Sequence, residues 1–572
     1  MSFDVREILK LLDLGHAPEA GAPEWLRQSW EDPDGFIAAL TAAQAGRGAP
    51  PPKSRPGQHY DFFHDLVIRH LESERIAFRA YDRLRGWQAL SYRQLHDQAA
   101  RRGSEWAEQG VKPGAKLCLV YNMGAELLIS LAAALRLGAC LSILPPQGTH
   151  FVSRRLEALA PDHIAAEPHQ VPLLKGFEKL LLRSRGHALP GFTSYTYKPD
   201  EPVGLLFSPL VDPTDTPVPL LAADAWRGAL CDGLLSFKLG PGDHLAAPGF
   251  HLLQHQPALF FATLLRGATF LHLELADLEH EQAPLFEHPL HALGVTPALR
   301  DILLRGRGKS LKNLSLWFRC PEERLDWQAW RAWVRQCGLT EVPHANVLID
   351  STAGGMVAGS WRHVGDIHTE ALPAAGRSWT LRDLNMSGQE AAGDVGVLTL
   401  LPDKGRPPGY IVLSRIRQQY HYASTRDARK EGRVYPSAEV AAALADLPFV
   451  EGVSVVAVPT GGLMGHHRYV LLVFTGAETQ EVAARESGAR QMELRRRLEL
   501  RMGAEFLPDR IEFYALYPRR KKGVVDDAWC RSQYLTGALH QKSIHPMFQA
   551  LTAVRGHLVA SEAKPGEDEF TQ

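Results

Sequence analysis

From about residue 92 onward, stretches whose apolar residues recur at helical spacing alternate with short apolar runs, and glycine or proline punctuates each change. This alternation is the strongest constraint on the fold, because strands separated by helices build a sheet whose faces the helices cover. Residues 92–109 carry the helical pattern, followed by Gly110 and Pro113-Gly114 and then by the strand-like run KLCLVY at 116–121. A glycine just past a helix takes the left-handed conformation that ends it. Residues 126–137 predict the next helix and CLSIL the next strand, and the pattern returns where a further helix closes at Leu239-Gly240-Pro241-Gly242 and a strand follows. No fixed-period repeat underlies this recurrence.

At 572 residues the chain exceeds what one hydrophobic core can organise. Residues 1–58 read as a helical extension, with Val5, Ile8, Leu11 and Leu12 at helical spacing and a stiff linker at 48–57 that holds four prolines. A large α/β domain is expected over 59–424. A small domain follows at 425–540, where RVYPSAEVAAAL, YVLLVF and ARQMELRRRLELRM predict helix, strand and amphipathic helix. Residues 541–572 end as a polar, acidic tail.

The 63 basic and 64 acidic side chains leave a formal charge of -1, so no global field draws the chain to nucleic acid or an anionic membrane. Six widely spaced cysteines without a Cys-x-x-Cys pair fit a reducing compartment. Asp4, Arg6, Glu7 and Lys10 interrupt what an export signal would need as an apolar core. The most apolar stretch, 127–146, is broken by Arg136 and Gly138. The expectation is a cytoplasmic chain without membrane insertion.

Several segments, taken in order, resemble the adenylate-forming superfamily of acyl-CoA synthetases, fatty acyl-AMP ligases and adenylation domains. LSYRQLHDQAARRGSEWAEQGVKPGAKLCLVYNMGAELLISLAAALRLGAC is similar to its opening helix, strand and helix. FKLGPGDHLAAPGFHLLQHQPALFFATLLRGATFLHL matches its middle segment, GDVGVLTL the strand after its acyl pocket, EGRVYPSAEVAAAL the start of its small domain and LYPRRKKGVVDDAW its terminal loop. The resemblance spans most of residues 59–540 and implies a large multi-sheet N-terminal domain of adenylate-forming type plus a small α+β C-terminal domain. It also implies activation of a carboxylate with ATP to an acyl adenylate, followed by transfer to a thiol.

That chemistry makes demands the sequence meets poorly. The family cradles phosphate in a Ser/Thr/Gly-rich loop ending in Pro-Lys-Gly, where small residues free backbone N–H groups and lysine supplies charge. The corresponding residues 207–221, FSPLVDPTDTPVPLL, have no glycine and no lysine. They carry Pro209, Pro213, Pro217 and Pro219, each without an N–H, and among Ser208, Asp212, Thr214, Asp215 and Thr216 two acids. Where the family places a magnesium-binding glutamate after its threonine, Thr352 is followed by Ala353, with Asp350 the nearest substitute. The ribose-holding aspartate has only Thr425-Arg426-Asp427 as an echo, at a position that aligns better with the hinge. The C-terminal catalytic lysine after the loop glycine is replaced by Val524, with Lys521 and Lys522 before Gly523. Losing one such contact costs roughly a factor of 100 to 1000 in rate.

Other residues invite weighing. His251 and His255 have the i, i+4 spacing of a metal pair but lack a third ligand, so no metal site is expected; His251 aligns with a histidine near the family's acyl pocket. Trp327, Trp330 and Trp333 recur every three residues on one side of a predicted helix. That side packs in the core or forms a protein-docking face; on the docking reading, Trp330→Glu abolishes partner binding without unfolding. Arg495, Arg496 and Arg497, and Arg519, Arg520, Lys521 and Lys522, read as solvated faces.

The expectation is therefore a catalytically degenerate homologue serving as a structural or regulatory subunit with protein partners, as a homo- or hetero-oligomer, and with no cofactor. The alternatives are an active ligase using ATP and magnesium through Asp350, Thr352, Asp427 and Lys521 or Lys522, and a sensor that binds a carboxylic acid without ATP chemistry.

Overall fold

The computed structural model describes residues 4, 24–44, 50–72, 74–183, 186, 191, 193–207, 217–306, 310–320, 327–360, 362–384, 389–401, 411–416, 419–425, 429–430, 433–459, 467–476, 480–521 and 523–540. The chain divides into two compact units, Met1–Pro146 with Leu156–Asp427, and Gln147–Arg155 with Ala428–Gln572. The inclusion of Gln147–Arg155 in the second unit has no counterpart in the sequence reading.

Among the described residues the first unit holds three sheets. One is a five-stranded layer in the order β5 (His163–Ala166), β3 (Lys116–Val120), β4 (Cys140–Leu144), β6 (Pro202–Leu206), β7 (Val218–Leu221). Its strands run parallel except for the β6–β7 pair. β4 is buried at every position and β3 at all but its first, as near-continuous apolar runs covered on both faces should be. The helix Tyr92–Glu108 starts in a capping box, Ser91 accepting from Gln94 N–H and Gln94 reaching back. The helix Ala125–Leu137 ends on Gly138 at φ 74°, so both fall within a residue or two of their expected bounds.

The second sheet has nine strands. They run β14 (Leu372–Pro373), β13 (Gly355–Gly359), β12 (His344–Asp350), β11 (Leu316–Arg319), β10 (Ala292–Gly294), β8 (His244–Ala246), β9 (Thr269–His272), β1 (Ile76–Asp82) and β2 (Gly86–Ser91). From β12 through β1 the neighbours are parallel, and antiparallel strands close both edges. A four-stranded antiparallel sheet follows, β15 (Trp379–Arg382), β16 (Val395–Leu400), β17 (Ile411–Ile416) and β18 (Gln419–Thr425).

The N-terminal helices Glu24–Glu31 and Pro33–Gln44 do not hang as an appended arm. Leu26, Phe36, Ile37 and Leu40 are buried in the main core. Trp30 stands edge-on to Trp379 at 5.2 Å and donates its indole N–H to the Ala374 carbonyl. Residues 1–23 fall outside the described residues except Asp4. The linker is also anchored, since the buried Asp65 carboxylate accepts the backbone N–H groups of Lys53 and Ser54.

In the second unit, Gly452–Pro459, His467–Phe474 and Arg510–Tyr514 form a mixed sheet, with the helices Ser437–Leu444 and Gln480–Arg501. Val440, Leu444, Leu471, Val473, Leu494 and Leu498 make its core.

All six cysteines are buried and outside any disulfide. Burial pushes the Cys140, Cys231 and Cys530 thiols up to about 12 and Cys337 to about 11, so these sulfurs stay protonated and unreactive. Among the described residues no helix is long and apolar enough to cross a membrane.

His70, buried against Tyr92 at 4.8 Å, gives the fold an acid-sensitive point. Burial first, then the Arg69 and Arg75 charges, lower its pKa to about 3. An unfolded histidine titrates near 6.5, so below that pH the unfolded chain takes up a proton that the fold refuses. Its stabilising contribution is complete above about pH 6.5 and is lost as pH falls towards 3, at up to about 1.4 kcal/mol per unit. Denaturant titrations at pH 8 and pH 5 should show a loss that is about 2 kcal/mol smaller in His70→Phe. Equal losses in both proteins would refute the assignment.

Candidate functional site around Asp350 and Thr352

β12 runs fully buried to Asp350, where the chain turns through the short 3-10 helix Ser351–Ala353 and enters β13 through Gly354 and Gly355. Asp350 caps this turn: its Oδ1 accepts the backbone N–H of Thr352 at 2.9 Å and the Thr352 hydroxyl at 2.7 Å. Both side chains are buried, so the carboxylate and hydroxyl nearest the expected magnesium position are turned towards each other. A Ser, Thr or Asp at such a position satisfies orphan turn N–H groups, which is the local reason this sequence folds so.

Three neighbours define the surroundings. The hairpin β6–β7 pairs Leu206 with Val218, and β7 packs beside the Ser351–Ala353 turn. The root of the expected phosphate loop therefore sits next to Thr352. The loop residues Ser208, Asp212, Thr214, Asp215 and Thr216 lie outside the described residues. The second neighbour is the short helix Leu252–His255, from which Gln254 Nε2 donates to the Ile349 carbonyl at 3.3 Å. His251 precedes this helix, half-buried, so the structure brings the acyl-pocket candidate and the Asp350–Thr352 turn into one region. His255 directs Nδ1 at the His251 carbonyl, 2.9 Å away, and lies against Phe250.

The third neighbour is the helix Ala222–Cys231, whose backbone touches the turn directly. A Cβ on Gly228 would stand 1.7 Å from the Gly354 carbonyl oxygen, and one on Gly354, at φ 84°, 2.5 Å from the Asp224 carbonyl oxygen. Gly355 faces Asp232, whose Oδ2 accepts the Met356 N–H at 2.9 Å. Burial raises the Asp232 carboxyl to about 7. The doublet Gly354-Gly355 was the available sequence signal for this close approach, and the sequence reading missed it.

The remaining candidates separate. Asp427 and Lys522 lie outside the described residues. Lys521 is exposed in the second unit, on the two-residue strand Arg520–Lys521 that turns through Gly523 to pair with Val524–Val525.

The tryptophan helix requires a correction. On Trp327–Gln336, Trp330 and Trp333 are fully buried and pack with Trp317 at ring distances of 5.8 and 4.8 Å. Arg300 and Arg319 lie over the Trp330 ring at 5.0 and 5.6 Å. Only Trp327, 39 % exposed, reaches solvent. Period-three aromatics here follow the buried face against β11, so Trp330 and Trp333 offer no surface to a partner.

On the other side of β12 a small, partly open cavity of about 70 Å³ is lined by Trp25, Ala345, Val347, Met356, Leu372 and Arg362 among others. Arg362 is buried and donates to the Leu235 carbonyl at 2.7 Å.

The layered sheets share their fold with solved CoA synthetases. Two solved structures carry the comparison. An o-succinylbenzoate CoA synthetase from Bacillus subtilis superposes with a TM-score of 0.62 at 13% identity, covering 84% of this chain and 98% of that one. An acyl-CoA synthetase from Brucella canis gives 0.55 at 16% identity, covering 88% and 98%. No protein-family model and no curated protein matches the chain.

Proposed function

We propose that this chain is a catalytically degenerate relative of the AMP-forming acyl-CoA synthetases, working in the cytoplasm as a structural or regulatory subunit that binds protein partners. The observation that carries the reading is the Asp350–Thr352 pair. Alanine stands where the resemblance calls for a magnesium ligand, and the nearest substitute carboxylate has its Oδ1 engaged by the Thr352 N–H and hydroxyl of its own turn. The proline-studded, acidic composition of 207–221 argues the same way, since a triphosphate needs amide N–H groups and positive charge.

ATP–pyrophosphate exchange across a panel of carboxylic acids is the decisive assay. Exchange should run at least about 1000-fold below that of an active acyl-CoA synthetase, with no magnesium-dependent thermal stabilisation by ATP. Exchange at ordinary rates that disappears in Asp350→Asn would instead establish the active-ligase reading.

The cavity beside β12 favours one second reading, a sensor of a carboxylic acid. Its lining is apolar and Arg362 supplies one cation, the composition expected of a small-molecule site. Thermal stabilisation by an acid without ATP, removed by Met356→Trp, would favour this over the scaffold role.

A further inference from the structure

Histidines that are scattered in sequence meet in the first unit at the start of β12. The segment between β13 and β14 folds back so that His363 and His344 exchange backbone hydrogen bonds of 2.7 and 2.8 Å. Asn346 then pins the returning chain, its Nδ2 donating to the carbonyls of His368 at 3.0 Å and Glu370 at 2.8 Å. Arg319 Nη2 donates to the same His368 carbonyl at 2.9 Å. Glu370 in turn bridges to His421 of β18. The placement of these side chains is therefore set by β11, β12 and β18 rather than by a loop alone.

We propose that His363, His368 and Glu370 bind a divalent transition metal, zinc by its donor set, with water in the fourth position. One ligand atom from each residue lies within 4.8 Å of those from the other two. Tetrahedral zinc with bonds of about 2.0–2.1 Å spaces its ligands by roughly 3.3 Å, within reach of side-chain rotation from this arrangement. The His363 and His368 rings are 3.8 Å apart, and His363 Nε2 already meets Glu370 Oε2 at 2.8 Å. Glu370 is 6% exposed, and His368 Nε2 is buried without a hydrogen-bond partner. Two imidazoles and one carboxylate are a ligand set that zinc sites use when they keep a position open.

Loading exchanges two contacts. The His363–Glu370 hydrogen bond and the 3.2 Å approach of Glu370 N–H to His368 Nδ1 open as the rings turn their lone pairs to the ion. The fixed positive charge of Arg319 stays engaged with the His368 carbonyl. The inference is independent of whether the chain forms adenylates, since none of these residues belongs to the Asp350–Thr352 site.

Zinc sulfate alone, titrated into the chelator-stripped full chain, tests it. One equivalent should bind with micromolar or tighter affinity and raise the thermal transition. Glu370→Gln, nearly isosteric, and His363→Ala should each weaken binding at least about 10-fold, while exposed His280→Ala leaves it unchanged. Cobalt absorption of the unsubstituted chain adds a readout free of folding defects, with the strong visible bands of four-coordinate nitrogen and oxygen ligation expected. Absence of binding below millimolar zinc, octahedral-type cobalt bands, or undiminished affinity in folded Glu370→Gln would each overturn the site.

Discussion

Trp330→Glu is expected to unfold the first unit rather than strip a partner from an intact surface. Trp330 is fully enclosed between Trp317, Trp333 and two guanidinium groups. Removing a buried tryptophan side chain costs about 3–5 kcal/mol through lost transfer energy and the cavity left behind. A buried carboxylate adds a desolvation penalty of several kcal/mol. Arg300 and Arg319 would offset part of that penalty, yet glutamate cannot refill the space between Trp317 and Trp333. The expected loss exceeds about 5 kcal/mol, comparable with the whole stability of a domain. Thermal denaturation and limited proteolysis should find the unit unfolded or shifted down by well over 10 °C. Trp327→Glu, at a position 39 % exposed, should remain within about 1 kcal/mol of the parent. If Trp330→Glu melts with the parent and loses a binding partner, the burial argument is wrong and the docking face returns.

Gly228→Ala should have the second-largest effect, and its sign is the test. Within a helix, alanine for glycine normally stabilises by about 0.8–1 kcal/mol. Here the new Cβ would meet the Gly354 carbonyl oxygen at 1.7 Å, and that oxygen belongs to backbone that cannot rotate away. Overpacking of this kind costs about 1–3 kcal/mol or more, so the clash wins and the turn carrying Thr352 must shift. Gly488 in the helix Gln480–Arg501 is the control, because a Cβ there meets nothing within 4 Å. Gly488→Ala should raise the melting temperature of its unit slightly, whereas Gly228→Ala should lower that of the first unit by several degrees. Stabilisation by Gly228→Ala would show that the helix and the turn are not in contact.

Much of the architecture was legible because it is written in local periodicity. The helices Tyr92–Glu108 and Ala125–Leu137 and the strands Lys116–Val120 and Cys140–Leu144 stand where apolar spacing and glycine placed them. The site was legible only in part. That Ala353 follows Thr352 is a fact of sequence, but the engagement of Asp350 with the Thr352 hydroxyl is a fact of turn geometry. The tryptophan repeat was ambiguous for a clear reason: period three selects one side of a helix without saying whether that side meets solvent or a sheet.

The amino-acid order alone thus determined which segments become helix or strand, since that depends on residue type and near-neighbour spacing. Only the tertiary structure decided that the N-terminal helices join the main core, that Gly228 lies against Gly354, and that His363, His368 and Glu370 converge with His344 and Asn346. These are contacts between segments brought together by sheet order, and no periodicity within a segment encodes what the neighbouring strand will place opposite it.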